Sequence, residues 1–298
     1  MTRDLVGYGA HPPDPQWPGG ARLAVNFVLN YEEGGENTPL EGDPASEAFL
    51  HEVVGAPPTI GARNLNTESM FEYGSRAGFW RVHRIFEAHG LPLTVFGVGQ
   101  AIERNPEAAR AMVEAGWEVA SHGWRWIDYV DVPVEVEREH MRRSIAAIEA
   151  ACGVRPVGWY TGRGSAMTRQ LVVEEGGFLY DADSYADELP YWVEVAGSDH
   201  LVVPYTLDAN DFKFLLVNGF VNADDFAAYL TDAFDQLYAE GGRMLSVGLH
   251  CRIIGRPGRA PGLDRFLAHV GKHEDVWVVT RADIARHWRA VHPPAASL

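Results

Sequence analysis

The sequence is poor in cysteine and in basic residues, and it has no long apolar run. Its two cysteines, Cys152 and Cys251, are too few for a disulfide framework or a structural zinc cluster, which favours a reducing compartment. Lysine and arginine number 25 against 41 aspartates and glutamates, and the net charge of −16 argues against a nucleic-acid or anionic-membrane partner. The chain has no apolar run of about 18 residues, and residues 1–20 lack a signal-peptide core. We therefore predict a cytoplasmic protein that binds neither nucleic acid nor membrane.

Several sequence motifs of common enzyme classes are also missing. The chain contains no Walker loop, no G-x-S-x-G elbow and no H-E-x-x-H helix. The glycines after Phe96 resemble the start of a dinucleotide fingerprint, but Ile102 stands where its third glycine would be. These absences disfavour a nucleotide-binding protein, a serine hydrolase of that type and a zincin-type protease.

Apolar β-branched segments alternate with amphipathic segments along most of the chain. Predicted strands include Leu23–Leu29, Leu93–Val98 and Met244–Leu249, and predicted helices include Ser75–His89 and Ile102–Ala115. Seven or eight such units without a composition break predict an α/β fold, with one closed or nearly closed β/α barrel over residues 1–298 instead of two Rossmann halves. Residues 1–20, rich in proline and glycine, are predicted to be an irregular arm, and the polar stretch 30–66 a long functional loop.

Polar and aromatic residues follow the predicted strands at their carboxyl ends, where β/α barrels carry their reactive groups. The candidates are Asn30, Glu32, Glu33, His122, Trp124, Trp126, Tyr160, Arg163, Tyr185 and His250. Carboxylates and imidazoles can take a proton from water, and neighbouring donors can hold an oxyanion, so this set is typical of a hydrolase. Each residue also has a structural interpretation, because the glutamates could be solvated, the histidines simply hydrogen-bonded and the tryptophans part of the core.

The order of these motifs resembles that of the polysaccharide deacetylase superfamily, whose catalytic domain is a distorted (β/α)7 barrel. The family segment T-F-D-D-G corresponds to residues 30–34, N-Y-E-E-G, and the family segment H-[ST]-x-x-H to residues 122–126, H-G-W-R-W. The arginine motif corresponds to Trp159–Gly164, with tyrosine at the arginine position, and the last motif to Leu249 and His250 without the intervening residue. The resemblance implies a single distorted (β/α)7-type barrel.

The departures from these motifs bear on metal binding. In the family, the second aspartate and both histidines of these two motifs are metal ligands. Here Glu33 and His122 are retained as possible donors, whereas Trp126 replaces the second histidine. Hydrolytic zinc is usually held by three protein ligands, and two donors make a poor site. We therefore predict no metal, which disfavours a metal-dependent polysaccharide deacetylase.

The sequence is more closely similar to a divergent branch of that superfamily, the metal-independent allantoinases, and to related cyclic-imide hydrolases. The similarity extends over nearly the whole chain and includes N-Y-E-E-G-G-E-N at 30–37, S-H-G-W-R-W at 121–126, Y-T-L-D-A-N-D at 205–211 and G-L-H-C-R-I-I-G-R-P-G-R at 248–259. It implies cofactor-independent opening of the hydantoin ring of (S)-allantoin to allantoate in purine catabolism. It also implies a cytoplasmic homotetramer whose small-molecule partner is a cyclic ureide.

We expect Glu32 or Glu33 to take the proton from water, while His122 and His250 protonate the leaving nitrogen and steady the oxyanion. Arg163 and Tyr160 are expected to hydrogen-bond the substrate, and Trp124 and Trp126 to face its flat ring. Asn30 and Tyr185, which also follow predicted strands, complete the predicted substrate-binding set. The alternatives are a cyclic-imide or hydantoin hydrolase, a metal-dependent polysaccharide deacetylase and an inert binding barrel.

Overall fold

The computed structural model describes residues 3–294 as a mostly parallel sheet surrounded by helices. The strands are β1 (Leu23–Tyr31), β2 (Thr94–Gly97), β3 (Glu118–Ser121), β4 (Gly158–Trp159), β5 (Tyr180–Asp181), β6 (Tyr191–Val195), β7 (Ser198–Val202), β8 (Arg243–His250) and β9 (Val276–Val278). The α-helices are α1 (Leu65–Tyr73), α2 (Phe79–His89), α3 (Gly99–Arg104), α4 (Pro106–Glu114), α5 (Val134–Cys152), α6 (Thr168–Glu175), α7 (Ala223–Glu240), α8 (Ala260–Val270) and α9 (Arg281–Val291). A π-helix (Gly74–Gly78) joins α1 to α2, and 3-10 helices span Pro18–Gly20, Pro39–Glu41 and Asp211–Leu215. None of the helices within residues 3–294 is long and apolar enough to cross a membrane.

The sheet curls into a half-barrel, as predicted for a distorted barrel of this class. Its strand order is β6-β7-β5-β4-β3-β2-β1-β8, and β9 pairs with the amino-terminal half of β1. The β6–β7 pair is antiparallel and the other pairs are parallel. Irregular chain lines the open side, where Met244 donates its N–H to the carbonyl of Glu188 (3.0 Å) and Gly248 donates to Ala209 (2.8 Å). The carboxyl ends of the parallel strands therefore share one mouth.

Alternate residues of β1 face opposite sides of the sheet, as the period of a strand requires. Leu23, Val25, Phe27, Leu29 and Tyr31 belong to the core between sheet and helices. Ala24 and Val28 belong to the core inside the curl, together with Tyr160 and Tyr205. This alternation sends even-numbered residues of β1 inward and odd-numbered residues outward.

A buried arginine fills the interior of the curl below the strand ends. Arg281, fully buried at the start of α9, donates hydrogen bonds to Asn26 Oδ1 (2.8 Å), Ser246 Oγ (3.0 Å) and the carbonyls of Val203 and Pro204. Burial lowers the pKa of Arg281, although the nearby carboxylate and phenols oppose this. The hydrogen bonds satisfy most of its donors, so a charged group can lie where β/α barrels usually carry apolar layers.

Three local features differ from the predictions. The chain becomes helical at Leu65, ten residues before the predicted start, because Asn64 caps α1 by accepting hydrogen bonds from two backbone N–H groups. The predicted helix Ile102–Ala115 is two helices, since Pro106 has no N–H to continue α3. Strand β6 was not predicted, because its residues pair only in a local antiparallel hairpin on the sheet edge.

Candidate active site

Glu32 is the centre of a buried polar cluster at the mouth of the curled sheet. Its Oε1 atom lies 3.3 Å from His122 Nε2 and 3.6 Å from His250 Nε2, and its Oε2 accepts a hydrogen bond from Arg252 (2.6 Å). Each of these four residues is at most 4% exposed. Burial alone would raise the pKa of Glu32, but Arg252, His250 and His122 together lower it well below its usual range. Glu32 is therefore an anion, held by the Arg252 guanidinium and by the His122 imidazole.

Arg252 supplies the fixed positive charge of the cluster. Its guanidinium lies over the ring of Phe71 (4.3 Å) and near that of Trp126 (5.0 Å) while one nitrogen donates to Glu32. Its Nε and Nη2 atoms are buried without a hydrogen-bond partner among residues 3–294. A buried guanidinium with free donors can bind a carbonyl oxygen or an oxyanion.

His250 is oriented by Asp211, which lies in the 3-10 helix Asp211–Leu215 that follows β7. Asp211 Oδ1 lies 2.6 Å from His250 Nδ1, and Asp211 Oδ2 accepts hydrogen bonds from the backbone N–H groups of His250 (2.7 Å) and Ile254 (3.0 Å). Burial would lower the pKa of His250, but Asp211 and Glu32 outweigh burial and raise it. Because Nδ1 faces a carboxylate, the proton of neutral His250 lies on Nδ1 and its Nε2 faces the cluster with a lone pair.

Aromatic side chains form the layer below the cluster. Tyr160 lies 4.9 Å from the His122 ring and stacks on Phe96 at 4.7 Å. The Tyr160 hydroxyl shares a hydrogen bond of 2.9 Å with Tyr185, and Asn30 donates to the hydroxyl of Tyr205 (2.9 Å). Asn30 and Tyr160 therefore lie next to the cluster, whereas Tyr185, which is partly exposed, is linked to it through the Tyr160 hydroxyl.

Glu33 lies on the opposite face of β1 from Glu32. Its Oε2 accepts a hydrogen bond from the backbone N–H of Glu32 (3.0 Å), whereas its Oε1 lies against Gly74 in the π-helix and has no partner within residues 3–294. Burial raises the pKa of Glu33 to about 7, opposed by Arg252 and assisted by Glu32. The structure therefore brings Glu32, but not Glu33, between the two histidines.

The long loop before α1 covers Trp126. Phe49 stacks on the Trp126 ring at 5.8 Å, and Arg163 lies over the same ring at 5.1 Å. Arg163 also donates a hydrogen bond to Glu47 of the loop (3.1 Å). Arg163 thus binds a protein carboxylate in this structure, and Trp126 lies between two guanidinium groups under the loop.

Trp124 does not reach the cluster. Its ring is covered by the guanidinium of Arg143 at 4.2 Å and packs against Gly99 of α3. Its backbone carbonyl accepts a hydrogen bond from Gln100 (3.1 Å). These contacts place Trp124 between the strand end and the helices, so its predicted place against the substrate ring finds no support.

The cluster is a poor fit for a metal ion. Arg252 already occupies one oxygen of Glu32, Glu33 is on the other face of the strand, and the indole of Trp126 has no lone pair to donate. Within residues 3–294, the group of three His, Cys, Asp or Glu donors close enough to share a cation lies elsewhere, at Asp235, His269 and His273. We derive no catalytic step through a metal.

Two members of the cluster were missing from the predicted site. Asp211 belongs to the Y-T-L-D-A-N-D segment and Arg252 follows His250 by two residues, so both lay within segments already singled out. Nothing in the spacing of the sequence shows that Asp211 reaches across to β8, because an irregular segment carries it there. Alternate residues of a strand face opposite sides of the sheet, and continuing this alternation from β1 would have predicted that Glu32 and Glu33 face opposite sides.

Comparison with known proteins agrees with this architecture. Residues 67–177 match the family model described as polysaccharide deacetylase. A Schizosaccharomyces pombe protein named as a polysaccharide deacetylase is 46% identical, with 98% of each chain covered. The crystal structure of a Pseudomonas aeruginosa protein, also named as a polysaccharide deacetylase, is 56% identical with a TM-score of 0.96, covering 98% of this chain and 99% of that one. The crystal structure of PuuE allantoinase has the same identity and TM-score and covers 99% of each chain.

Proposed function

This chain belongs to the polysaccharide deacetylase family, and from that premise we propose that it hydrolyses the hydantoin ring of (S)-allantoin to allantoate in purine catabolism. The family and the allantoinase structure support a hydrolase that acts on carbon–nitrogen bonds. The observation that carries the finer proposal is the cluster of Glu32, His122, His250 and Arg252, which provides proton transfer and a fixed positive charge from side chains alone. The proposed reaction therefore needs no metal or other cofactor.

His250 is the proposed general base. Its Nε2 lone pair accepts a proton from water as the water oxygen bonds to a ring carbonyl carbon, and Asp211 stabilises the resulting imidazolium. Glu32 is a weaker base than His250, because its pKa is lowered by Arg252 and both histidines. The imidazolium then returns the proton to the ring nitrogen as the carbon–nitrogen bond breaks, which leaves a carboxylic acid and a ureido nitrogen.

Arg252 and His122 are the proposed donors to the developing oxyanion. The free Nε and Nη2 atoms of Arg252 are buried, so their interaction with negative charge is not weakened by water. His122 directs its Nε2–H toward Glu32 at 3.3 Å, a long contact, and in the proposed step it shares this proton with the oxyanion. Glu32 holds both donors in place and keeps the cluster close to electrically balanced.

The aromatic and amide layer below the cluster suits a small, flat and polar ring. Tyr160, backed by Phe96, offers an apolar surface, and the Tyr185 and Tyr205 hydroxyls offer hydrogen bonds at its edges. Entry requires displacement of the loop over Trp126, because the cluster is buried with the loop in place. We further propose a cytoplasmic homotetramer, which light scattering of the purified protein would test by its mass relative to the 32.9 kDa chain.

The test is conversion of (S)-allantoin to allantoate by the purified protein, before and after dialysis against a strong chelator. We expect equal rates in the two samples and a loss of at least about 100-fold in His250→Ala. A hydantoin or cyclic imide turned over faster than allantoin would favour the related cyclic-imide hydrolase. Acetate release from N-acetylglucosamine oligomers without allantoin turnover would replace the proposal with a deacetylase, and no turnover of any of these substrates would indicate an inert barrel.

A further inference from the structure

Three metal-ligating side chains converge on the outer helical layer. Asp235 lies on α7, His269 lies near the end of α8, and His273 follows one turn later. One ligand atom from each lies within 4.8 Å of the other two. His273 lies in the turn that follows α8, and this turn brings its ring to 5.2 Å from the ring of His269.

Local contacts prepare His273 as a ligand. Its Nδ1 lies 3.2 Å from the carbonyl oxygen of His269, and a carbonyl only accepts, so Nδ1 carries the proton. Its Nε2 therefore has the lone pair that a metal ion binds, and an imidazole fixed through its other nitrogen is the usual arrangement of a metal-bound histidine. The rings of Phe234 (4.8 Å) and Tyr238 (4.9 Å) pack on His273 and hold its orientation.

The second pair of donors is already in contact. His269 Nε2 lies 2.8 Å from Asp235 Oδ1, and Phe234 packs against the His269 ring at 5.2 Å. Both side chains reach solvent, since 21% of His269 and 56% of Asp235 is exposed. A cation that binds here displaces the proton shared by His269 and Asp235, and water can fill its remaining positions.

We propose that Asp235, His269 and His273 form a binding site for a divalent transition-metal ion of the zinc class. Two imidazoles and one carboxylate favour Zn²⁺, Co²⁺ or Ni²⁺ over Mg²⁺ and Ca²⁺, which prefer oxygen ligands. The bound ion would join α7 to the α8 turn on the outside of β8. Its role is to stabilise this helix pair, and the site is separate from ring hydrolysis.

The experiment is a titration of untagged, chelator-treated full-length protein with ZnCl2, followed by calorimetry and by thermal unfolding. We expect one Zn²⁺ per chain and a rise in Tm, because a ligand that binds the folded state stabilises it. His273→Ala and Asp235→Asn each change one donor. Loss of a residue that only hydrogen-bonds to a metal ligand weakens metal binding by about 10- to 100-fold, so each of these variants should weaken Zn²⁺ binding by more than that. MgCl2 at the same concentrations should leave Tm unchanged.

The pair His89 and Asp264 is the matched control. It has the same 2.8 Å contact and nearly the same exposure, 22% and 59%, but no third His, Cys, Asp or Glu donor joins His89 and Asp264 in the described part of the chain. His89→Ala should keep the wild-type Zn²⁺ affinity, and far-UV circular dichroism should show all variants folded. Equal affinity in wild type and His273→Ala, or no Zn²⁺ binding tighter than about 100 µM in wild type, would overturn the proposal. Allantoin turnover is a separate readout, expected to be unchanged in His273→Ala.

Discussion

Adjacent residues of this chain have opposite electrostatic environments. Glu32 faces the inside of the curled sheet, beside Arg252, whereas Glu33 faces the helices, where burial dominates. The pKa of Glu32 is lowered and that of Glu33 is raised to about 7. Arg252 lowers the pKa of both buried carboxyl groups, but only Glu32 accepts its hydrogen bond and has the two histidines beside it, whereas Glu33 has the negative charge of Glu32 nearby.

Replacement of Glu33 by glutamine is expected to stabilise the protein progressively as pH rises. The carboxyl ionises near pH 4.5 in the unfolded chain and near 7 in the folded one, so ionisation favours unfolding in that interval. Glu33→Gln removes this destabilisation, so above pH 7 its free energy of unfolding should exceed that of wild type by on the order of 3 kcal/mol. Urea unfolding of both proteins from pH 4 to pH 8 measures it. Glu32→Gln is the control with the opposite effect, because the lowered pKa of Glu32 stabilises the folded protein above pH 4.5. If the free energy of unfolding of Glu33→Gln and of wild type changed with pH in parallel, the raised pKa of Glu33 would be wrong.

Asp211 is a positioning residue for His250, and its substitution should change the pH profile as well as the rate. Asp211→Asn should lower kcat by at least about 100-fold, since the imidazolium loses its anionic partner. Because Asp211 raises the pKa of His250, the rise of kcat/KM with pH should move to lower pH in this variant. Asp208 is an exposed aspartate of the same segment, paired with Lys213, and Asp208→Asn should leave kcat and the pH profile unchanged. A rate loss without a shifted profile would assign Asp211 a purely structural role.

At the scale of elements, the π-helix brings the helical layer against the strand ends. A Cβ atom at Gly78 would overlap the carbonyl oxygen of Cys251, next to His250, and one at Gly74 would overlap the carboxyl group of Glu33. Such approach is possible only for glycine. The π-helix therefore sets the distance between the α1–α2 region and two residues of the predicted site.

Gly78→Ala should destabilise the fold by about 2–4 kcal/mol and lower allantoin turnover, because the added methyl group pushes on the backbone beside His250. Helix propensity alone predicts the opposite sign for a glycine-to-alanine change. Gly271→Ala is the control, since its nearest heavy atom would lie at 3.5 Å, an ordinary contact. Urea unfolding and steady-state kinetics measure both. Equal or greater stability in Gly78→Ala would show that the close approach is absent.

The loop over Trp126 is fastened through Glu47. Its carboxylate accepts hydrogen bonds from Arg163 (3.1 Å), Asn37 (2.6 Å) and the backbone of Phe49 (2.8 Å). Glu47→Ala should therefore speed amide exchange over residues 46–54 by about tenfold or more and raise KM, with a smaller effect on kcat. Hydrogen–deuterium exchange measures the first effect. Arg138→Met is the control: it removes an ion pair between α5 and α6 and should leave amide exchange in this loop unchanged. Unchanged exchange in Glu47→Ala would show that other contacts hold the loop.

At the scale of the whole molecule, the sequence predicted the architecture better than the site. Alternating apolar strands and amphipathic helices are a local signal, so the curled α/β sheet and most elements followed from it. The position of Asp211 depends on how irregular chain closes the open side of the sheet, which no local pattern encodes. The pairing of Arg163 with Glu47 likewise depends on a long loop folding back, and Trp124 turns toward α3 and α5 for packing that spacing does not reveal.

The buried guanidinium of Arg281 limits the routes by which substrate can reach the active site. With Asn26, Ser246 and two carbonyls bonded around it, the lower end of the interior is sealed. Substrate therefore cannot reach the reactive groups through this end, and it must approach from the carboxyl ends of the strands or from the open side of the sheet. Product and substrate bind the same groups, so accumulated product would compete with substrate for them.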